Sequence, residues 1–470
     1  METGVKTLSL GEMVRHRRGS FVYKVIIFVF SAALRLFFRR IETVNKEVVP
    51  EGDAVIFVMN HPNGLIDPAL VFVALPRKIS FLAKSTLFKM PVISWLLRTV
   101  EALPLYRRVD RGEDVSKNKR TFEVCQQLLR RGGAIALFPE GVSHNSPKLM
   151  PLKTGAARIA LGAISVDQTG TPLRLKIVPV GLFYTSKTTF RSEALLHFGE
   201  PFEVEPVELD RENQPPREAV RALTERIEKA LREVTLNAET EAELERAGRA
   251  ENLFSSVFEG LTFERSLAER FAFLKQYISE PFEARYRLDE PEKDLERRIE
   301  NYERRLRELN IEPENLSLTG HSFWFVFRYF FLRLFLILLF APLSIVGAIL
   351  HFPAYQFCKF LADRYTHHGV DDIVSTVKIL AAMVFMPLTW LILAVVLYFK
   401  WGWTVALVSI PASFICGYAA LRSWEELEDL RGWFRAVRLF YLKRELFLQL
   451  LVERRNLHEE MAKKEKKVDS

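Results

Sequence analysis

The chain has 470 residues, 49% of them hydrophobic, and a formal net charge of +8. That length allows more than one domain and a large core, and the basic balance suits an anionic partner such as a phosphorylated substrate or an anionic lipid surface. No zinc-finger spacing, helix-turn-helix cue or basic zipper occurs, which argues against a nucleic-acid module, and Cys125, Cys358 and Cys416 show no pairing pattern, which argues against a disulfide framework or zinc site and fits a reducing compartment.

In chain order, the first element is the apolar run 25–34, bordered by Lys24 and Arg35 and followed by Arg39 and Arg40. It is short for a membrane span and has no small-residue cleavage pattern. Residues 1–40 are therefore expected to form an amphipathic helix lying on a bilayer; the alternative is a helix packed on the surface of a soluble domain. Residues 41–210 alternate short apolar runs (54–59, 79–83, 102–106, 134–138, 175–182, 195–198) with helical patterns such as 114–131 and 154–164. This predicts an α/β domain with a mostly parallel sheet flanked by helices, whose active residues sit on loops at strand ends.

Residues 211–318 are charged and helical in period, as in Arg217–Val234 and 294–309, where i,i+4 pairs suit a solvated face. Residues 319–424 hold three apolar stretches, 334–352, 379–399 and 403–421, the first two nearly or wholly free of charge. Lys359, Arg364 and Lys378 in the loop 353–378, and Arg422, Arg431, Arg435 and Arg438 beyond the last stretch, place both flanks in the cytosol by the positive-inside rule. The last two stretches then form a hairpin. The earlier run, 323–357, must return to the same side too, and Pro342 is a place where it could break into a re-entrant or interfacial pair. Residues 425–470 read as a charged amphipathic cytosolic tail.

Four blocks carry the chemistry. Asn60-His61-Pro62-Asn63-Gly64-Leu65-Ile66-Asp67-Pro68 follows a strand. A histidine beside a carboxylate is the minimum for general-base activation of a hydroxyl, and Pro62, Asn63 and Gly64 favour a turn that brings Asp67 back to His61. Leu103-Pro104-Leu105-Tyr106-Arg107-Arg108 ends another strand, and paired arginines can grip a phosphate with forked hydrogen bonds. Phe138-Pro139-Glu140-Gly141-Val142-Ser143-His144 ends a third; Gly141 lets the backbone turn close to a ligand, and Lys153 and Gly155 then open a helix whose N-terminus suits an anion. Val178-Pro179-Val180-Gly181 lies inside an apolar strand. Any one of these blocks alone is as well explained by a structural role.

In this order the four blocks resemble those of the phospholipid/glycerol acyltransferase superfamily. The resemblance implies that His61 is a general base and Asp67 its orienter, and that Arg107, Glu140 and Gly141 shape a phosphate and substrate pocket. Lys84, in Phe81-Leu82-Ala83-Lys84, matches a basic position between the first two blocks. The superfamily's commonest spacing leaves four residues between His and Asp, whereas residues 62–66 intervene here. An extra residue in a strict helix would turn Asp67 by about 100°, so the pairing needs a local turn. The longer spacing is similar to that of the yeast-type glycerol-3-phosphate/dihydroxyacetone-phosphate acyltransferases and their bacterial relatives, as are segments 138–155, 234–238, 302–309 and 372–387.

That likeness implies an integral membrane enzyme with its catalytic domain on the cytosolic face. It would move an acyl group from acyl-CoA or acyl carrier protein to glycerol 3-phosphate, giving lysophosphatidate, with Arg107 and Lys84, Arg108 or Lys153 holding the phosphate. No metal or cofactor beyond the thioester co-substrate is implied. The expected partners are the acyl thioester, glycerol phosphate or lysophosphatidate, and the phospholipid bilayer, with no nucleic acid. Ser143 and His144 are lesser candidates, for the pocket or for the loop's own hydrogen bonds. The alternatives are acylation of lysophosphatidate to phosphatidate, which shares the chemistry; a non-catalytic membrane adaptor, which the intact His61, Asp67, Arg107 and Glu140 oppose; and a thioesterase.

Overall fold

In the computed structural model the alternating apolar runs become strands of one sheet. The structure describes residues 5–9, 21–75, 77–107, 109–110, 112–165, 173–210, 214–258, 266–279, 291–309, 323–365, 374–442, 445–446, 448–450, 452–454 and 456–457. The strands are β1 (Val5–Thr7), β2 (Arg40–Val44), β3 (Ala54–Met59), β4 (Ser80–Lys84), β5 (Leu103–Leu105), β6 (Ala134–Leu137), β7 (Leu175–Tyr184), β8 (Glu193–Phe198) and β9 (Phe202–Glu203). Their order is β1-β2-β8-β7-β3-β6-β4-β5, with β9 also on β7. β7, β3, β6, β4 and β5 run parallel, and β2 is parallel to β8. The β1–β2, β7–β8 and β7–β9 pairs are antiparallel. The mostly parallel sheet expected from the sequence is present. β3 and β6 are buried on both faces along their length, which is why their sequences run apolar without alternation. β2 lacks that signature: it carries Glu42, buried against Arg40 at 3.2 Å, while Arg40 also meets Glu193 of the neighbouring strand at 3.0 Å.

Six helices belong to this sheet: α1 (Phe21–Phe37), α2 (Ile66–Ala74), α3 (Pro91–Thr99), α4 (Asn118–Arg130), α5 (Gly155–Ile164) and α6 (Arg217–Val234). Cys125 and Leu129 of α4, the small residues Ala156, Ala157 and Ala160 of α5, and Leu223, Ile227 and Leu231 of α6 share one core with Ile56, Ile135 and Ile177 of the sheet. α6, which composition groups with the charged region, thus completes the sheet domain. Its end lies so close to β7 that a Cβ on Gly181 would sit 1.7 Å from the Val234 carbonyl oxygen, so the glycine of the fourth block is required by packing. On α1, Tyr23 meets Phe72 of α2 edge-on at 5.5 Å. Arg191 holds the other end of α1, its Nη1 donating to the carbonyls of Arg35, Leu36 and Phe38 at 3.2–3.3 Å. α1 therefore buries Ile26, Ile27, Leu34 and Phe37 while Phe21, Val22, Val25, Phe28 and Val29 stay exposed. It has one apolar face on the domain and leaves a second exposed.

The chain divides into two compact units: 1–241 with 362–379, and 242–361 with 380–470. The second unit contains nearly all of α7 (Glu241–Phe258), α8 (Leu267–Ser279), α9 (Pro291–Leu309), most of α10 (Phe323–Tyr365), most of α11 (Val374–Trp401) and α12 (Trp403–Leu442). Segments 330–364, 374–401 and 403–428, within α10, α11 and α12, are long and apolar enough to cross a membrane. Gly402, at φ +85°, makes the tight turn between the last two.

α10 is helical through Pro342, where a break was expected. It contacts both of the other apolar helices. Arg333 pairs with Glu426 at 2.9 Å, Gly347 packs on the Cys416 carbonyl, and His351 accepts a 2.7 Å hydrogen bond from the Trp390 indole. Phe357 then meets Phe385, further from the Gly402 turn than Trp390 is. Pro353 also falls inside α10, and neither proline can donate to the carbonyl four residues back.

Candidate active site

The site begins where β3 ends, at the carboxyl edge of the parallel strands. Asn60 continues the ladder with its side chain, donating to the Leu182 carbonyl at 3.0 Å and accepting the Leu182 N–H at 2.7 Å. The chain then turns through residues 61–65, with Gly64 at φ +38°. The Asn63 carbonyl closes the turn by accepting from the N–H groups of Ile66 at 2.9 Å and Asp67 at 3.3 Å. Asp67 falls in the first turn of α2, and its Oδ2 lies 2.8 Å from His61 Nδ1. The five-residue spacing is therefore absorbed by a turn ahead of the helix, and the pair forms.

Asp67 is fully buried. Its carboxylate also accepts the Asn63 N–H at 2.7 Å and the Tyr184 hydroxyl at 2.5 Å. Burial, with Asp67 beside it, holds the Tyr184 hydroxyl well above its usual range, so it remains a donor. With a carboxylate facing Nδ1, the neutral imidazole keeps its proton there and leaves a lone pair on Nε2. Among the described residues, Nε2 has no hydrogen-bond partner. The ring stacks on Phe138, centroids 4.0 Å apart, and the side chain is 17% exposed.

Glu140 and His144 form the frame under this imidazole. The Glu140 carboxylate is buried and accepts the backbone N–H of His61 at 3.0 Å and of Met150 at 2.8 Å. It also accepts from His144 Nε2; His144 Nδ1 takes the Ser146 N–H at 3.1 Å, so the proton sits on Nε2. The His144 N–H in turn donates to the His61 carbonyl at 3.2 Å. Both backbone groups of His61 are thus fixed by the third block. Ser143 lies half-buried in the same loop.

The cations gather around Asp110. Arg107 donates to its two oxygens at 3.0 and 3.1 Å, and Lys84 Nζ lies 3.1 Å from Oδ1. The Arg107 hydrogen bonds, with Lys84 adding to them, hold the Asp110 carboxyl below its usual range. Two cations against one carboxylate leave this corner with one net positive charge. Arg107 Nη1 also donates to the Gly141 carbonyl at 2.8 Å, which joins the second block to the third. Gly141, at φ +79°, packs against the Lys153 side chain, and the Lys153 N–H donates to Pro139 at 2.7 Å. Arg108 lies outside the described residues.

Sequence reasoning missed Tyr184, Asp110 and the side-chain roles of Asn60 and Asn63. Asp110 stands three residues after Arg107, a spacing that could have suggested a partner. Nothing local marks Tyr184, which reaches Asp67 across 117 positions.

Residues 40–182 match the family described as Acyltransferase, and residues 268–468 match the one described as Glycerol-3-phosphate acyltransferase 2 C-terminal domain. The chain is similar to glycerol-3-phosphate O-acyltransferase 2 of Saccharomyces cerevisiae, with 27% identity over 359 residues, 73% of this chain and 47% of that protein. To glycerol-3-phosphate O-acyltransferase 1 of the same yeast the identity is 27% over 288 residues, 57% of this chain and 36% of that one. The chloroplastic 1-acyl-sn-glycerol-3-phosphate acyltransferase BAT2 of Brassica napus is 31% identical over 156 residues, 33% of this chain and 40% of that protein. The match thus spans less than half the length of each of these relatives.

Proposed function

Because residues 40–182 match the family described as Acyltransferase, we propose that the chain is a glycerol-3-phosphate O-acyltransferase making lysophosphatidate from an acyl thioester. The observation that carries the reading is the His61–Asp67 contact of 2.8 Å, with Nε2 open at the edge of the sheet that also presents Arg107 and Lys84. Glycerol 3-phosphate is favoured over lysophosphatidate as acceptor by the second match, which covers residues 268–468.

In the proposed step, Arg107 and Lys84 bind the acceptor's phosphate, with Arg108 and Lys153 as further cations. His61 Nε2 takes the proton of a glycerol hydroxyl as that oxygen bonds to the thioester carbonyl carbon. Asp67 steadies the imidazolium, and Tyr184 and the Asn63 N–H hold Asp67 in place. The tetrahedral intermediate collapses with loss of the carbon–sulfur bond, and the departing thiolate takes the proton back from Nε2. General-base help of this kind contributes roughly 10²- to 10⁴-fold. The step needs no metal, because the positioned imidazole supplies both proton transfers. Glu140, Ser143 and His144 act on the loop that carries His61, and Gly141 on the seat of Arg107.

The bilayer is the proposed surface for this reaction. The apolar helices α10–α12 and the outward face of α1 support that placement, and the basic flanks support a cytosolic catalytic domain. The test is acyl transfer by the purified full chain in lipid vesicles, with glycerol 3-phosphate, lysophosphatidate or no acceptor. Transfer to glycerol 3-phosphate is expected. Transfer to lysophosphatidate alone would move the assignment to phosphatidate synthesis, and acceptor-independent thioester loss would make the chain a thioesterase.

A further inference from the structure

The catalytic turn has a partner 311 residues away, at the start of the first helix of the apolar hairpin. Leu65 is the residue before α2, and its backbone N–H is one of the donors that a helix start leaves unmatched. No side chain within the turn caps α2. The cap comes instead from Thr376 in the first turn of α11, whose Oγ1 accepts the Leu65 N–H at 3.2 Å. Beside it, the buried Ser375 hydroxyl donates to the Lys187 carbonyl, which also accepts from the Asn63 side-chain amide at 3.4 Å. Lys378 Nζ donates to the next carbonyl, that of Thr188, at 2.8 Å. Residues 374–379 fall in the same compact unit as the sheet.

From this we infer that Thr376, Ser375 and Lys378 are positioning residues for the His61–Asp67 pair. They join two loops. One is the 61–65 turn that carries the base; the other, at 185–190, directly follows the strand whose last residue, Tyr184, orients Asp67. Asn63 and Asp67 are both fully buried, so their bonds have no water to fall back on. The turn already accommodates a long His–Asp spacing, and Thr376 fixes it at the residue next to α2. Since α11 is long and apolar enough to cross a bilayer, the geometry of the imidazole is tied to the seating of that helix. The inference concerns the same site and rests on the acyltransferase reading above.

The test uses the full chain in lipid vesicles and compares Thr376→Val, Thr376→Ser and Ser375→Ala. A displacement near 1 Å at a catalytic group can cost about 10²-fold in rate. Thr376→Val is therefore expected to lower kcat about tenfold or more, with KM for the acceptor changed by less than about twofold. Thr376→Ser, which keeps the acceptor oxygen, should restore kcat. A readout independent of turnover is hydrogen exchange in the peptide spanning 60–67, expected to be about tenfold faster in Thr376→Val but not in Thr376→Ser. Wild-type rates in Thr376→Val, or no rescue by serine, would overturn the positioning role. Inactive wild-type protein would overturn the acyltransferase reading instead, and unchanged exchange in Thr376→Val would then overturn the clamp on its own terms.

Discussion

Ser344, Thr389, Ser409 and Ser413 in α10–α12 donate to carbonyls three or four residues back in their own helices, at 2.7–2.9 Å. In the sheet domain the reach is far longer: Tyr184 to Asp67 spans 117 positions, His61 to Glu140 79, and Arg107 to Gly141 34. The apolar helices point Phe335, Leu338, Ile349, Leu391 and Val408 outward. Some polar groups there also meet a neighbouring helix, as Trp390 meets His351 and Ser344 meets Ser423, but each of these four hydroxyls shares a carbonyl that the backbone already uses. Inside the sheet domain, buried charged groups gather partners from distant segments as well as near ones, as Asp67 does from Asn63, His61 and Tyr184. A single polar atom therefore weighs little where its partner is a backbone carbonyl already bonded within a helix, and more where its partner is a buried charge.

The sharpest test of that contrast is His61→Ala. The backbone N–H and carbonyl of His61 are held by Glu140 and His144, so the turn keeps its path without the imidazole. We expect kcat to fall by about 10³-fold or more while cooperative unfolding persists. Measured acyl transfer near the wild-type rate would remove His61 as the base and leave the network purely structural.

Next in size is Tyr184→Phe. The aromatic ring is conserved in shape, and only the hydroxyl that donates to buried Asp67 is lost. Asp67 keeps two donors, the Asn63 N–H and His61 Nδ1. Hydrogen bonds to charged groups are worth about 1.5–3 kcal/mol, and a loss of that size is expected in urea unfolding. A kcat decrease of about tenfold at constant KM should accompany it, because an Asp67 free to swing no longer fixes the imidazole. If stability falls and kcat does not, Tyr184 serves the core alone.

The same contrast explains what was readable from the sequence. The strands at 54–59 and 134–137 are buried on both faces, and an uninterrupted apolar run is what such a position demands. β2 was not anticipated, because its charges are matched to Arg40 and Glu193 only once the sheet has formed. His61, Asp67, Lys84 and Arg107 were legible because each sits in a short block at a strand end. Asp110, Tyr184 and Thr376 were not, since their meaning lies in partners that folding supplies. Glu140 was read as part of the pocket, yet its carboxylate is turned to the backbone of His61 and Met150. The three long apolar helices were legible from composition alone. The continuity of α10 through Pro342 and Pro353 was not, because a proline in a sequence marks a place where a helix can break and not whether it does.

Ser413→Ala performs the Tyr184→Phe operation in the other region, removing one buried hydroxyl. Its bond to the Ser409 carbonyl is 2.7 Å, no longer than many in the sheet domain, and Ser413 is 3% exposed. Distance and burial alone would therefore predict a similar cost. The partner differs. The Ser409 carbonyl lies inside α12 and keeps its helical hydrogen bond when the hydroxyl is gone, so nothing is left unsatisfied. Polar contacts between membrane residues average about 0.6 kcal/mol, and a hydroxyl bonded within its own helix should fall below that, near 0–0.5 kcal/mol. Unfolding of the vesicle-embedded chain, measured beside Tyr184→Phe under the same conditions, checks this. A loss for Ser413→Ala as large as that for Tyr184→Phe would mean that its hydroxyl serves a contact between helices, and the division drawn above between local and distant partners would fail at that position.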